Sequence, residues 1–265
     1  MEKRDRIKEL VEKLNEASKK YYQEDTEIMS NLEYDALYDE LVELEKETGI
    51  VMSNSPTVHV GYEIVSELPK EAHEHPMLSL DKTKSVEALA AWLGKHQGVI
   101  SWKLDGLTVV LTYENGTLVK AVTRGNGLEG EVITNNARVF ANIPKEIPYK
   151  GKLTIRGEAV IKYSDFEKIN EQIADADAKY KNPRNLCSGS VRQLNNRITK
   201  ERNVHFFAFN LVDGEDVDFK NSFSYELDWL EHQGFDVVEH YLIDADKLPE
   251  CVAKFAEQIE QNDFP

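Results

Sequence analysis

The residues most able to do chemistry lie in Lys103-Leu104-Asp105-Gly106. On a strand, alternate side chains share a face, so Lys103 and Asp105 would point one way while Leu104 packs behind them. Gly106 leaves room for a ligand to approach the backbone. A lysine is a nucleophile only when its amine is deprotonated, which burial or cationic neighbours favour. Taken alone, the pattern more often describes a solvated turn at a strand end. It has company, however. Downstream come Thr123-Arg124-Gly125-Asn126-Gly127, then Gly130-Glu131, Arg156-Gly157-Glu158 and Asn182-Pro183-Arg184-Asn185, followed by Gly189-Ser190-Val191-Arg192-Gln193-Leu194. Upstream lies His75-Pro76-Met77-Leu78-Ser79-Leu80.

The elements that must position these residues are legible in outline. Ile7, Leu10, Val11, Leu14, Ala17 and Tyr21 recur at three- and four-residue steps, one apolar helix face. Ser30 precedes Glu33 by three, a capping box opening a second helix whose stripe is Tyr34, Leu37, Tyr38, Leu41 and Leu44. Gly49 falls where a left-handed cap would end it. Residues 53–75, with Pro56 and Pro69, read as a connection. Beyond it, 99–111 and 118–123 are β-rich and flank Glu114-Asn115-Gly116, a hairpin signal. Residues 153–162, 204–212 and 235–242 are further strands. Helices are expected over 222–233, over 247–261 and, from a capping box of Ser164 and Glu167, through about residue 178. Without a regular βαβ alternation the class is α+β.

Composition narrows the partners. Of 265 residues, 41% are hydrophobic, enough for a packed core. With 32 Lys+Arg against 48 Asp+Glu, the net charge of −16 suits a phosphate backbone poorly, so any grip on nucleic acid should come from elsewhere. No apolar run is long enough to span a membrane, and the start lacks the apolar stretch of a signal peptide. Two cysteines, Cys187 and Cys251, without a CxxC, point to a reducing, cytoplasmic setting and away from a structural zinc site.

The order and spacing of these motifs resemble the adenylation region of the bacterial NAD-dependent DNA ligases. The helical start resembles the small N-terminal domain of the same family, through Tyr21-Tyr22, Glu33-Tyr34-Asp35 and Ser55-Pro56-Thr57 with Val60-Gly61. The resemblance implies a helical domain with its linker over 1–68, binding nicotinamide mononucleotide. It implies a mixed, largely antiparallel nucleotidyltransferase core over 69–265. Lys103 matches the nucleophile that attacks the α-phosphorus of NAD, takes up AMP and releases nicotinamide mononucleotide; Asp105 belongs to the same catalytic motif. Glu158 matches the carboxylate on the adenosine ribose, and Arg124 the arginine near ribose and phosphate. Ser79 and Leu80 match the adenine–ribose lining, Ser101 a position contacting adenine, and Phe209 the ring stacked on it. Tyr21, Tyr22, Tyr34 and Asp35 match the patch for the nicotinamide half. The types suit these roles: a carboxylate accepts from hydroxyls, a guanidinium forks onto phosphate, and rings face a cationic pyridinium. Mg²⁺ offsetting phosphate charge, a monomer, and nicked duplex DNA of replication and repair as the eventual substrate complete what the resemblance implies.

Each position also has a plainer reading. Tyr21 and Tyr34 lie on apolar helix faces and fit core packing equally well. Arg156 fits a surface strand charge. Arg184 and Arg192 fit DNA phosphate or pairing with acidic side chains, His73 and His75 fit turn residues, and Cys187 fits a small packed residue. The sequence departs from the family at Ser101 (usually Glu), at Asn126, Val132 and Asn31 (usually Asp), at Phe209 (usually Tyr), and at Leu186-Cys187-Ser188 (usually small alanines). Four of these changes remove a carboxylate near the expected nucleotide. A divergent, non-catalytic nucleotide-binding paralogue is therefore the second reading, and an ATP-using nucleotidyltransferase the third. The family's next two lysine-bearing motifs, its oligonucleotide-binding barrel, zinc module, helix-hairpin-helix region and BRCT domain would all fall beyond Pro265. An excised fragment is the expectation.

Overall fold

The computed structural model describes residues 3–23, 28–29, 31–52, 55–57, 68–77, 83, 85–125, 127–174 and 179–265, without the side chains of residues 18–23, 31, 32 and 35. The side chains of Tyr21, Tyr22, Asn31 and Asp35, and the whole of Ser79, Leu80 and Asn126, thus lie outside the described residues. The chain divides into two compact units, Met1–Pro69 and Lys70–Pro265.

In the first unit, α1 (Lys3–Gln23) and α2 (Asn31–Thr48) form an antiparallel pair. Ile7, Leu10, Val11 and Leu14 of α1 and Leu41 of α2 are fully buried, with Tyr34, Leu37, Tyr38, Leu44 and Met52 packed against them. The three- and four-residue spacing makes this seam by bringing every apolar side chain to one side of its helix. Arg6 clamps Glu40 through two bonds of 2.7 and 2.8 Å, and this holds the Glu40 carboxyl below the usual range. The α2 C-terminus closes where expected, with the Gly49 N–H donating to the Glu45 carbonyl at 2.8 Å. The Glu45 carboxylate, itself buried, accepts from the Ser55 and Thr57 hydroxyls and latches the turn after α2 onto the helix.

The second unit contains β1 (Lys70–Ala72), α3 (Val86–Leu93), β2 (Gly98–Ser101), β3 (Leu107–Glu114), β4 (Thr117–Thr123), β5 (Glu129–Glu131) and α4 (Thr134–Ala137). There follow β6 (Leu153–Val160), α5 (Tyr163–Gln172), α6 (Pro183–Val191), α7 (Asn196–Glu201), β7 (His205–Gly214), α8 (Phe223–His232), β8 (His240–Ile243) and α9 (Leu248–Gln258). Its centre is a four-stranded antiparallel sheet in the order β4-β3-β6-β7. Asn115 and Gly116, with φ of 51° and 80°, turn β3 into β4. Strand alternation gives the sheet two unlike faces. Val109, Leu111, Tyr113, Leu153, Ile155 and Ala159 form the buried one. Thr108, Val110 and Thr112 on β3 share the other with Thr154, Arg156 and Glu158 on β6, paired residue for residue. Antiparallel β2 and β8 form a separate ribbon, with Leu93, Ile243 and Leu248 as the core beneath it. This is the α+β architecture, mostly antiparallel, that the lack of βαβ alternation predicts.

Several local expectations are corrected. Residues 99–111 are not one strand: β2 and β3 belong to different sheets, and 102–105 between them is irregular. Alternation of exposure nevertheless survives there, with Lys103 and Asp105 exposed and Leu104 half-buried. The connection over 53–75 contains β1, which pairs with β5. Ser164 is no cap: α5 starts one residue before it, and both its N–H and its hydroxyl donate to the Asp263 carboxylate, at 2.9 and 2.7 Å. A distant carboxylate has taken the local cap's place, and the helix ends at Gln172. Of 235–242 only the last three residues join a strand, while Val237 makes a single parallel bridge to Ala208. Helices α3, α4, α6 and α7 have no counterpart among the expected elements.

Candidate nucleotide site

Glu158 is the best-seated of the candidate residues. Its place on β6 opposite Thr108 of β3 turns the carboxylate toward the end of the Lys103 segment. One oxygen accepts from the Gly106 N–H at 3.0 Å and the other from the Thr108 hydroxyl at 2.9 Å. The side chain is buried, and burial pushes its pKa up; the two hydrogen bonds and the charges of Lys103 and Arg184 pull it partly back. Glu158, Lys103 and Arg184 therefore share one electrostatic neighbourhood. Gly106 is required by contact rather than by conformation. A Cβ there would lie 1.9 Å from the Ala159 carbonyl oxygen, so any side chain would lift the segment off β6.

Lys103 and Asp105 are both exposed on the irregular stretch that Gly106 ends. The Asp105 N–H donates to the Pro265 carbonyl at 2.9 Å, and its carboxylate meets Arg184 Nη1 at 2.6 Å. Helix α6 brings that arginine in. Asn182 caps it, accepting from the Asn185 N–H at 2.8 Å, Pro183 occupies its first turn, and Leu186 and Cys187 bury its inner face. The Cys187 thiol donates to the Ala159 carbonyl at 3.1 Å, and burial pushes its pKa up, which makes it a packing residue. At the other end of α6, Arg192 is buried against Glu131 at 2.6 Å. For both arginines, pairing with a carboxylate is what the structure displays.

Arg124 leaves β4 half-buried, its N–H donating to the Thr108 carbonyl at 3.0 Å. Thr108 thus ties Arg124 by its backbone and Glu158 by its side chain. Phe209 is half-buried on β7 at a bulge: Arg156 pairs with Asn210 and Gly157 with Ala208, leaving Phe209 as the extra residue. Ser101 ends β2 exposed, opposite His240 in the ribbon rather than in the central sheet. In the first unit, Tyr34 is half-buried against the helical seam. Glu158, Asp105, Lys103, Arg124 and Arg184 are thus gathered around the Gly106–Thr108 corner, while Ser101 and Phe209 are positioned by other elements. Thr108 was not singled out from the sequence. Its signal is a hydroxyl two residues after the glycine, whose partner emerges only from the β3–β6 register.

An exposed lysine two residues before a carboxylate–guanidinium pair, with a buried carboxylate held by a glycine N–H where the two central strands of an antiparallel sheet meet, is an arrangement compatible with a nucleotidyltransferase fold. Family comparison is specific about which. The model of the NAD-dependent DNA ligase adenylation domain matches residues 65–264, and that of the DNA ligase-like, N-terminal NAD⁺-binding domain matches 1–61. The chain belongs to the NAD-dependent DNA ligase family. It is 64% identical over 259 residues to a DNA ligase of Ruminiclostridium cellulolyticum, covering 98% of this chain and 39% of that protein. It is also 64% identical over 263 residues to one of Lachnoclostridium phytofermentans, covering 99% and 40%. Against a DNA ligase of Helicobacter pylori it is 40% identical over 241 residues, covering 88% and 36%. The chain spans about 40% of the length of the first two relatives. No helix among the described residues is long and apolar enough to cross a membrane.

Proposed function

We propose that this chain carries out the first step of DNA ligation, transfer of AMP from NAD to Lys103. The Lys103 amine attacks the α-phosphorus of NAD, an N–P bond forms, and the P–O bond to nicotinamide mononucleotide breaks with the electron pair leaving on that product; the amine gives up its proton. Asp105 holds Arg184 beside the reacting centre. Glu158 accepts from the adenosine ribose, and Arg124 supports ribose and phosphate. Ser79, Leu80, Ser101 and Phe209 line the adenine side. Residues 1–68, through Tyr21, Tyr22, Tyr34 and Asp35, hold the nicotinamide half, and 69–265 form the adenylation domain.

Among the described residues no group of three or more His, Cys, Asp or Glu side chains is placed to hold a metal. Mg²⁺ would enter on the nucleotide phosphates, where it supplies charge neutralisation. In the whole protein, the AMP would pass to a 5′-phosphate in nicked duplex DNA, in the cytoplasm, with the enzyme acting as a monomer in replication and repair. With a net charge of −16, the DNA grip would come from outside this chain.

The observation that carries the reading is Glu158, buried and held by Gly106 and Thr108 next to Lys103, in a chain of this family. The test is intact-protein mass after incubation with Mg²⁺ and NAD, beside ATP and a Lys103→Ala variant. Gain of one AMP from NAD alone, lost in the variant, is expected. Binding without gain would favour the second reading, a non-catalytic nucleotide-binding paralogue, for which Ser101, Asn126, Val132 and Asn31 speak.

A further inference from the structure

Residues 73–77 run as a strap between two parts of the candidate site. Along one edge the strap is sewn to the loop after β4. The His73 N–H donates to the Leu128 carbonyl at 2.8 Å and the Met77 N–H to the Gly127 carbonyl at 2.9 Å. His73 Nε2 donates to the Arg124 carbonyl at 3.0 Å. A Cβ on Gly127, whose φ is +92°, would lie 2.8 Å from the Met77 carbonyl oxygen, so loop and strap meet backbone to backbone. Along the other edge the strap is held by Arg156 of β6, two residues before Glu158 on the same sheet face. Its Nη2 donates to the His75 carbonyl at 3.1 Å and to the Pro76 carbonyl at 3.3 Å.

This is an unusual employment for a guanidinium. A half-buried arginine is ordinarily matched by a carboxylate, as Arg192 is. Among the described residues Arg156 has none, its Nε is buried without a hydrogen-bond partner there, and burial lowers its pKa. The neighbouring side-chain ties, Lys120 to Glu71 and Lys152 to Glu74, are partly exposed ion pairs of the kind worth little. Arg156 thus reaches the strap's main chain from within the strand bearing Glu158, its Nη2 shared between two carbonyls.

We propose that Arg156 is a positioning residue for nucleotide binding: by clasping the strap to β6, it fixes the Arg124 loop relative to Glu158. The role rests on the adenylylation reading above, in which Arg124 and Glu158 take the phosphate and ribose ends of one adenosine. If those two groups must be a set distance apart before the nucleotide arrives, loosening the clasp weakens binding more than chemistry.

The experiment pairs kinetics with hydrogen exchange on this chain. In single-turnover AMP uptake, Arg156→Ala should raise KM, the NAD concentration giving half the limiting rate, about tenfold while that limiting rate stays within about threefold, and Arg156→Lys, which keeps one donor nitrogen, should recover part of the loss. Exchange at the His73 and Met77 amides should quicken in Arg156→Ala while the Leu111 amide in β3 stays protected. Gly127→Ala, which crowds the strap from its other edge, should raise KM in the same way. Unchanged KM in both alanine variants would overturn the proposal. So would exchange that quickens at Leu111 along with the strap, which denotes general destabilisation. If the parent chain takes up no AMP, the adenylylation reading fails. The exchange pattern and calorimetric affinity for AMP then still decide the clasp, with an unaltered pattern and affinity refuting it.

Discussion

At the N-terminal end of α6, Arg184 reaches Asp105 across 2.6 Å; at its C-terminal end, Arg192 reaches Glu131 across the same 2.6 Å. The chemistry of the two pairs is identical and their surroundings are not. Arg184 and Asp105 are 58% and 60% exposed, Arg192 and Glu131 only 5% and 12%. Water screens the first pair and offers either partner a substitute, so it can open for a ligand at little cost. The second pair has no such alternative, because removing one partner strands a charge in the interior. Around it Ser188 accepts from Arg192, and the Asn136 amide donates to the Val191 and Gln193 carbonyls. One short helix thus has a fixed end, which anchors it, and a free end, which it presents to the Lys103–Gly106 segment.

The largest test of that contrast is to break the fixed end. Arg192→Ala should cost about 3–5 kcal/mol, a fall in Tm on the order of 10 °C by scanning calorimetry. Breaking the free end should do the converse. Arg184→Ala should change stability by less than about 1 kcal/mol. It should nevertheless lower the rate of AMP uptake on the order of tenfold, or about 1.4 kcal/mol, read by intact mass. A destabilisation by Arg184→Ala equal to that of Arg192→Ala would erase the distinction. Salt sharpens it further. Between about 0.1 and 1 M the screening length drops from about 10 to 3 Å. The rate gap between Arg184→Ala and its parent should therefore narrow, while the Tm gap of Arg192→Ala holds.

The two ends of α6 also differ from what the sequence displays. The helix is signalled by Asn182 followed by Pro183, a cap and a first-turn proline, yet its apolar residues Leu186, Cys187 and Val191 are too few for a periodic stripe. Where the signal was local, as in the α1 and α2 seams, the Asn115-Gly116 hairpin or the 222–233 helix, sequence and structure agree. Where it needed a distant partner, they part. Ser164 carries a capping-box spacing, but Asp263 arrives from 99 residues away and supersedes it. β-branched residues on both sides of Lys103 suggest one strand, but β2 pairs with β8 and β3 with β4 and β6, and those distant partners have no local signal. Lys103, Asp105, Arg124 and Glu158 were legible as motif residues. Thr108, which ties two of them together, was not, because a strand register is a property of pairs.

Glu158 carries the same contrast within one residue, because its burial sets function against stability. Its folded pKa is raised above the ordinary glutamate value of about 4.3. Between those two values the folded chain keeps a proton that the unfolded chain releases, so this group favours folding more as pH falls through that window. Its contribution is complete below the unfolded value and is lost as pH rises through the folded one. At neutral pH the ionised carboxylate is therefore a net burden on the fold. Glu158→Gln removes the charge, and its amide can still accept from the Gly106 N–H and donate to the Thr108 hydroxyl. Tm at pH 7 should rise, read by scanning calorimetry. The advantage should shrink toward pH 4. AMP uptake should meanwhile fall about 10–100-fold, as expected for loss of a charged acceptor. A variant that was both less stable and equally active at pH 7 would mean that Glu158 serves the fold and not the nucleotide.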